Sequence, residues 1–235
     1  MTIKEKTTFV KQQLSKRWKC ETSAFDLEEN MFYATEDTYF EIITFGHNAV
    51  IRGETSIVAW CQAQYGSTLA RDILDGDNLY NLDTKLRSVG KKLAGEHMRY
   101  LHYFPYEEVM VPEEFYYKLY VKDEVKELYE YRFFDNALTF ERDEIALAAW
   151  RGNELAALAG TDEYVDGLWE IGIDTVPKYR KLGLGRYLVK QLALEIEKRN
   201  KVPFYNTWSP NIASARLVLG AGFRPVWMEY PSTDI

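Results

Sequence analysis

A short basic segment containing two glycines constrains this chain more than any other part of its sequence. Residues 180–185 read Arg-Lys-Leu-Gly-Leu-Gly, between an apolar, strand-like segment at 168–176 and a helix-like segment at 185–200. Glycine lets a backbone approach a ligand closely because it has no Cβ. The first N–H groups of a helix lack partners within the helix, and the helix dipole favours an anion beside them. The segment therefore predicts a strand–turn–helix unit that binds phosphate, helped by charge-assisted contacts from the two basic side chains.

The spacing R-x-x-G-x-G differs from the dinucleotide-binding and P-loop patterns and resembles the pyrophosphate-binding loop of the GNAT acyl-CoA N-acetyltransferases. Residues 173–180, Ile-Asp-Thr-Val-Pro-Lys-Tyr-Arg, are similar to that family's lead-in to the loop. Asn-Ile-Ala-Ser at 211–214, with Gly-Phe at 222–223, resembles the family's second signature. The resemblance covers roughly residues 136–235. The alternative interpretation is an ordinary strand–helix turn that is basic and rich in glycine.

The order of the predicted elements indicates an α/β fold. The C-terminal half is predicted as strand 145–150, strand 155–160, strand 168–176, helix, strand 202–208, helix 212–219 and strand 223–230. Hairpin-linked strands followed by alternating helices and strands make a mixed sheet. The resemblance implies the same architecture, a mixed, mostly antiparallel sheet flanked by helices, which is the GNAT-like acyl-CoA N-acyltransferase core. The amphipathic, tyrosine-rich residues 113–131 are predicted to be helical.

The sequence predicts two domains. Residues 113–235 are assigned to a GNAT N-acetyltransferase domain and residues 1–112 to an N-terminal α/β domain. Residues 39–104 also read as strands, a helix and a strand. The N-terminal domain is therefore either a degenerate second copy of the same architecture or an unrelated α/β domain. It has no R-x-x-G-x-G segment, so even as a copy it would not bind the cofactor.

Composition and charge exclude some classes of protein. The 235-residue chain is 46% hydrophobic and 15% aromatic, which suits a folded protein with a proper core. Its net charge of −7 argues against nucleic acid as a partner, because binding phosphates requires a basic face. The same charge is consistent with a cationic substrate or with plain solubility.

Cysteine, histidine and apolar residues give no sign of a metal site, a disulfide framework or a membrane span. The two cysteines and three scattered histidines make no ligand set. No apolar stretch is long enough to span a membrane, and residues 1–6 lack an apolar signal core. We therefore expect no metal, no membrane association and a cytoplasmic location. The sequence leaves the oligomeric state open, a homodimer included.

The resemblance implies acetyl-CoA as co-substrate. In this family the strand before the loop splays from its neighbour, and its backbone amides hold the cofactor; here those amides belong to Ile173 and Thr175. The Ile173 amide is the candidate for polarising the thioester carbonyl as charge develops on its oxygen. Gly172 predicts a bulge or a close backbone approach in this strand. The predicted cofactor contacts are Ile173, Thr175, Arg180, Lys181, Leu182, Gly183, Leu184, Gly185, Arg186, Asn211 and Ser214.

The same strand offers two carboxylates as general base, which must take a proton from the attacking amine. Glu170 and Asp174 are four residues apart, so they share a strand face unless a bulge intervenes. Carboxylates on a central strand are costly to bury unless they are paired or functional. The resemblance implies a base carboxylate on this strand, with Glu170 the first choice and Asp174 the second. The alternative for each is a structural role, as partner of an arginine or of a helix N-terminus.

The leaving thiolate lacks the proton donor that many family members have. They carry a tyrosine seven residues after the signature Asn, and that position is Val218 here. The role falls to Ser214, to another aromatic such as Tyr205 or to water, unless no acid is needed. The resemblance implies that Asn211 and Ser214 bind the pantetheine arm or its sulfur. Asn and Ser are also favoured residues at the N-cap of a helix, so the two residues could instead, or in addition, cap the helix that they open.

These observations predict an enzyme that moves an acetyl group from acetyl-CoA to the primary amine of a small molecule, by direct transfer in a ternary complex. A non-catalytic acyl-CoA-binding or regulatory module is the first alternative, which the missing tyrosine favours. A protein N-acetyltransferase acting on a chain terminus or on lysine is the second. The acceptor stays unnamed, because acceptor pockets in this family come from variable segments.

Overall fold

The computed structural model describes residues 1–103 and 113–235. They form two compact units, unit 1 (Met1–Thr7 with Tyr100–Pro225) and unit 2 (Thr8–Arg99 with Val226–Ile235). The predicted domain boundary between residues 112 and 113 falls at the edge of the segment 104–112, outside the described residues, and it stays a prediction. In the part of the chain that is described, no helix is long and apolar enough to cross a bilayer.

The secondary structure follows the predicted order from residue 143 onward. The helices are α1 (Ile3–Trp18), α2 (Thr55–Tyr65), α3 (Ala70–Ile73), α4 (Gly76–Arg87), α5 (Leu184–Lys198) and α6 (Ile212–Gly220). The strands are β1 (Met31–Ala34), β2 (Phe40–Thr44), β3 (Ala49–Gly53), β4 (Lys91–Leu93), β5 (His97–His102), β6 (Tyr116–Val121), β7 (Asp143–Arg151), β8 (Glu154–Val165), β9 (Leu168–Thr175), β10 (Val202–Thr207) and β11 (Phe223–Asp234). Short 3-10 helices lie at Thr22–Phe25, Lys122–Leu128 and Pro177–Tyr179.

Unit 1 contains the mixed, mostly antiparallel sheet that the sequence predicts. Its strands lie in the order β10-β9-β8-β7-β6. Neighbouring strands are antiparallel from β6 to β9, and β9 is parallel to β10. Helix α5 packs on β7, β8 and β9 through the predicted apolar stripe, all of it buried: Leu188, Val189, Leu192, Ala193 and Ile196. At about 1.5–3 kcal/mol for each large aliphatic side chain, this burial fixes the helix on the sheet.

The helical prediction for residues 113–131 is wrong over its first half. Residues 116–121 form β6, which pairs along its length with β7 in antiparallel register from Tyr116–Trp150 to Val121–Ile145. The segment reads Tyr-Tyr-Lys-Leu-Tyr-Val, and aromatic and β-branched residues favour a strand. Only the following Lys122–Leu128 is helical, as a 3-10 turn.

Unit 2 is a smaller α/β unit. Its strands lie in the order β1-β3-β2-β11, with β4 paired to β11. Strands β2 and β3 form an antiparallel hairpin, and β1 runs parallel to β3. Its core consists of apolar side chains from these strands and from α2, α3 and α4, including Ile51, Ile57, Ile73 and Leu82. The idea that this part of the chain is a degenerate copy of unit 1 stays a prediction.

Candidate active site

A gap opens between two neighbouring strands of unit 1. Strands β9 and β10 are paired from Leu168–Val202 to Ile171–Tyr205. Among the described residues their pairing stops there, although β9 continues to Thr175 and β10 to Thr207. The second half of β9 therefore has a partner on its β8 side and an open edge on its β10 side.

Two backbone amides of β9 point into this gap. The Val176 N–H donates to the Ala156 carbonyl of the β8 side at 2.9 Å. The β8–β9 register is regular from Thr175 down to Trp169. Because successive N–H groups of a strand point to opposite sides, those of Ile173 and Thr175 face away from β8 and toward the gap. These are the two amides that the sequence singled out.

The side chains of β9 divide between the two faces of the sheet. Since no bulge interrupts the register here, Glu170, Gly172 and Asp174 share one face, as predicted. A Cβ at Gly172 would lie 1.7 Å from the Asn136 carbonyl oxygen. The glycine thus permits a close backbone approach, one of the two predicted alternatives, and the approaching backbone belongs to the protein itself.

Asp174 holds the segment that crosses this face. Its Oδ2 accepts hydrogen bonds from the backbone N–H groups of Asn136 and Ala137 at 2.8 and 3.0 Å. Its Oδ1 accepts another from the Asn136 side-chain amide at 2.7 Å. Three donors give Asp174 the structural role that the sequence left open, and its role as a base stays a prediction.

Glu170 lines a cleft of about 190 Å³ on the same face. A second carboxylate, Asp162 of β8, also lines it and lies directly opposite Glu170 in the strand register. Arg142 forms an ion pair with Asp162 at 3.2 Å (Nη2–Oδ2). Burial raises the pKa of the Asp162 carboxyl, and the Arg142 charge opposes that shift. The cleft therefore presents two carboxylates to a ligand, one of them held by an arginine.

Sequence reasoning missed Asp162 because the strand containing it was predicted to end at residue 160. The observed β8 continues to Val165. Only the observed β8–β9 register, which pairs Asp162 with Glu170, brings the two carboxylates together.

The basic segment connects β9 to α5 through residues with left-handed backbone. Lys181 has φ 66° and Gly183, the N-cap of α5, has φ 86°. Arg180 is exposed, and its Nε donates to the Thr175 carbonyl at 3.2 Å, at the open end of the gap. Leu182 and Arg186 are exposed, whereas Leu184 is buried. The segment thus places a helix N-terminus and its two exposed cations, Arg180 and Lys181, beside the gap.

Gly185 has a packing role. A Cβ there would lie 2.8 Å from Leu217 Cδ1 of α6 and 3.6 Å from Ile173 Cγ1. The residue lets the first turn of α5 approach both α6 and β9, because a larger side chain would push these elements apart.

Asn211 and Ser214 act together at the start of α6. Asn211 is the N-cap, and its Oδ1 accepts a hydrogen bond from the Ser214 N–H at 3.1 Å. The Ser214 hydroxyl lies 2.8 Å from the Tyr205 hydroxyl. The capping alternative is therefore realised, while contacts to a pantetheine arm stay a prediction. Val218 is fully buried, one turn further along the helix.

Residues 97–230, more than half of the chain, match the family model described as GNAT acetyltransferase. No match was found among the curated proteins.

Several solved structures are similar to parts of the chain. A GNAT-family acetyltransferase from Novosphingobium aromaticivorans is 20% identical, with a TM-score of 0.46 over 61% of this chain and 66% of that one. The ribosomal-protein-S18-alanine N-acetyltransferase of Escherichia coli is 20% identical, with a TM-score of 0.37 over 51% of this chain and 94% of that one. A Bacillus subtilis acetyltransferase in complex with CoA is 20% identical, with a TM-score of 0.38 over 52% of this chain and 99% of that one. All three TM-scores are low, so the family assignment rests on the match to the family model.

Proposed function

The chain belongs to the GNAT acetyltransferase family, and on that premise we propose that it transfers an acetyl group from acetyl-CoA to the primary amine of a small molecule, directly and within a ternary complex. The observation that carries this proposal is the gap between β9 and β10. Two backbone N–H groups of β9 point into it, and the N-terminus of α5 lies at its open end.

The residues around the gap suit acetyl-CoA. The pyrophosphate would accept hydrogen bonds from the N–H groups of residues 181–186, at the positive end of the α5 dipole. Arg180 and Lys181 would add charged contacts, since both are exposed beside that end. Thr175 would hold the pantetheine arm through its backbone. The Ile173 N–H would donate to the thioester oxygen, where negative charge develops during transfer.

Glu170 is the proposed base. Its carboxylate lines the cleft beside Asp162, and two acidic side chains favour an ammonium group over a neutral or anionic one. Asp174 is the weaker candidate, because three N–H donors already hold its carboxylate. Glu170 would take the proton of the amine directly or through one water molecule, leaving a neutral nitrogen to attack.

The cleft also bears on the choice between functions. A non-catalytic acyl-CoA-binding module has no need of Glu170 on the strand whose amides would hold the thioester, or of Asp162 opposite it. A cleft of about 190 Å³ is small and suits a small amine better than a folded polypeptide. These features support a small-molecule N-acetyltransferase over both alternatives.

A thiol-release assay tests the proposal. Acetyl-CoA is supplied with simple primary amines, a polyamine, a peptide with a free α-amine and a lysine peptide, and products are identified by mass spectrometry. We expect acetylation of at least one small amine. The Glu170→Gln variant keeps the shape of the side chain and should lower kcat by about 10²–10⁴ at neutral pH.

The matched control is Glu127→Gln, at an exposed glutamate of the 3-10 helix in unit 1 that is paired only loosely with Lys118. This variant should keep wild-type activity. Acetylation of peptides alone would identify a protein N-acetyltransferase. Binding of CoA without transfer to any amine would identify the non-catalytic module.

A further inference from the structure

Tyr205 occupies the point where the gap begins. It is the last residue of β10 that is paired with β9, opposite Ile171. Paired residues of parallel strands share a face, so its side chain lies with those of Ile171 and Ile173, on the face that carries α5 and α6. The ring is buried, with 4% exposure, and packs edge-on against Phe223 of β11.

The hydroxyl of Tyr205 reaches α6, the helix on which Val218 stands in place of the family's tyrosine. It lies 2.8 Å from the Ser214 hydroxyl. Ser214 and Val218 are four residues apart on α6 and therefore share a helix face. Tyr205 thus brings a phenol from the strand to the same side of α6 on which Val218 provides only a buried aliphatic side chain.

We propose that Tyr205 supplies, through Ser214, the proton that the leaving thiolate of CoA receives. This inference rests on the proposed function. Ser214, which is half-buried, is the catalytic residue because its hydroxyl would contact the sulfur. Tyr205 is a positioning residue, which orients that hydroxyl and replaces its proton.

The proton transfers balance. The amine nitrogen bonds to the carbonyl carbon, and the carbon–sulfur bond breaks with its electron pair remaining on sulfur. The Ser214 hydroxyl proton moves to the sulfur, and the Tyr205 proton moves to the Ser214 oxygen. Forming the amide removes a second proton from the nitrogen, and water carries that proton to the phenolate of Tyr205. The proton that Glu170 took from the ammonium group returns to solvent.

The charges around Tyr205 keep its phenol protonated before the reaction. Burial raises the pKa of Tyr205, the hydrogen bond with Ser214 lowers it, and the charges of Asp174 and Glu170 on β9 raise it further. The contact from β11 is the uncharged ring of Phe223. Glu170 lies on the opposite face of the sheet, so the base and the acid would approach the thioester from its two sides.

The test compares Tyr205→Phe, Ser214→Ala and the double variant with wild type. We expect each single variant to lower kcat for the best amine of the panel by about 10²-fold with KM for acetyl-CoA unchanged. The double variant should be no slower than the slower single variant, because both changes break one relay. The control is Tyr65→Phe in unit 2, which also removes a hydrogen bond from a buried phenol (to the Asn78 carbonyl, 2.9 Å). It should lower thermal stability comparably and leave kcat unchanged.

A second measurement needs no acceptor amine. The thiol pKa of bound CoA is read from thiolate absorbance during a pH titration. We expect this pKa to be higher than in wild type in Ser214→Ala, which removes the hydroxyl that donates to the sulfur, and also, by less, in Tyr205→Phe, which leaves that hydroxyl unoriented, because a donor to the sulfur stabilises the thiolate. Wild-type kcat in Tyr205→Phe, or an unchanged thiol pKa, would overturn the relay and leave the proposed function standing. Failure of the wild-type enzyme to acetylate any amine would count against the proposed function alone.

Discussion

At the scale of single residues, the two glycines of the basic segment have different purposes. Gly183 has φ 86°, a left-handed conformation that strains residues with a Cβ, and it turns the chain into the first turn of α5. Gly185 matters for space, because a Cβ there would meet Leu217 at 2.8 Å. A substitution at either position disturbs the fold as well as any phosphate contact, so neither gives a clean test of binding.

Lys181 offers a cleaner test of the phosphate site. It is exposed and has φ 66°, so Lys181→Gly removes the cation and relieves the backbone. We expect the binding free energy of CoA to weaken by about 1 kcal/mol at low salt, the upper end for an exposed ion pair, and the loss to shrink as salt rises. Stability should stay the same or increase. Isothermal titration calorimetry and thermal unfolding measure both quantities.

A matched control exists for this variant. Lys122 also has a left-handed backbone, with φ 52°, and opens the 3-10 helix after β6, which is separated from β9 by two strands. Lys122→Gly should affect stability in the same way and leave CoA affinity unchanged. Equal affinities in the two variants would remove Lys181 from the phosphate site.

At the scale of elements, the strand, loop and helix from 168 to 198 were predictable because each has a local signal. The strand is apolar, the turn has glycine, and the helix has an apolar stripe at helical spacing. For β6 the local signals conflict. Its aromatic and β-branched residues favour a strand, whereas the amphipathic spacing of the longer segment fits a helix, and the pairing of β6 with β7 decides between them. Contacts such as Tyr205–Ser214 join separate elements, so they too depend on tertiary structure.

The helix N-terminus that follows β3 in unit 2 contrasts with that of α5. Helix α2 has Glu54 at its N-cap, and the Glu54 carboxylate accepts a hydrogen bond from the Ser56 N–H at 2.8 Å. The protein's own anion occupies the place where a phosphate would bind, and a second negative charge there would be repelled. That the N-terminal part of the chain does not bind the cofactor stays a prediction.

At the scale of the whole molecule, one buried cluster ties the first residues of the chain into unit 1. The Lys6 ammonium is buried and donates to the His102 carbonyl at 2.9 Å and to Glu197 Oε1 at 2.5 Å. The same carboxylate oxygen lies 2.9 Å from His102 Nδ1. Burial acts to raise the pKa of Glu197, but the hydrogen bonds and charges of His102 and Lys6 outweigh it and lower the pKa to about 2.

This cluster predicts how stability depends on pH. Because the folded-state pKa of Glu197 lies below the value of 4.5 for an unperturbed carboxyl, its contribution is complete above about pH 4.5 and is lost as the pH falls toward about 2. The size of the shift sets an upper limit of about 3 kcal/mol on this contribution, and solvent screening lowers it because the Glu197 side chain is partly exposed. Denaturant unfolding of wild type and Glu197→Gln should show a stability difference at pH 7 that narrows toward pH 3. A difference that stays constant over that range would contradict this assignment.

The most direct test of the central claim follows the backbone amides of the gap during CoA binding. Two-dimensional amide NMR of the 27.5 kDa protein, with and without CoA, reports on each N–H separately. The account predicts large shifts for Ile173, Thr175 and residues 181–186, and small ones for the amides of β6 and β7. Binding that shifts other amides and leaves those of Ile173 and Thr175 unchanged, or no binding of CoA, would contradict it.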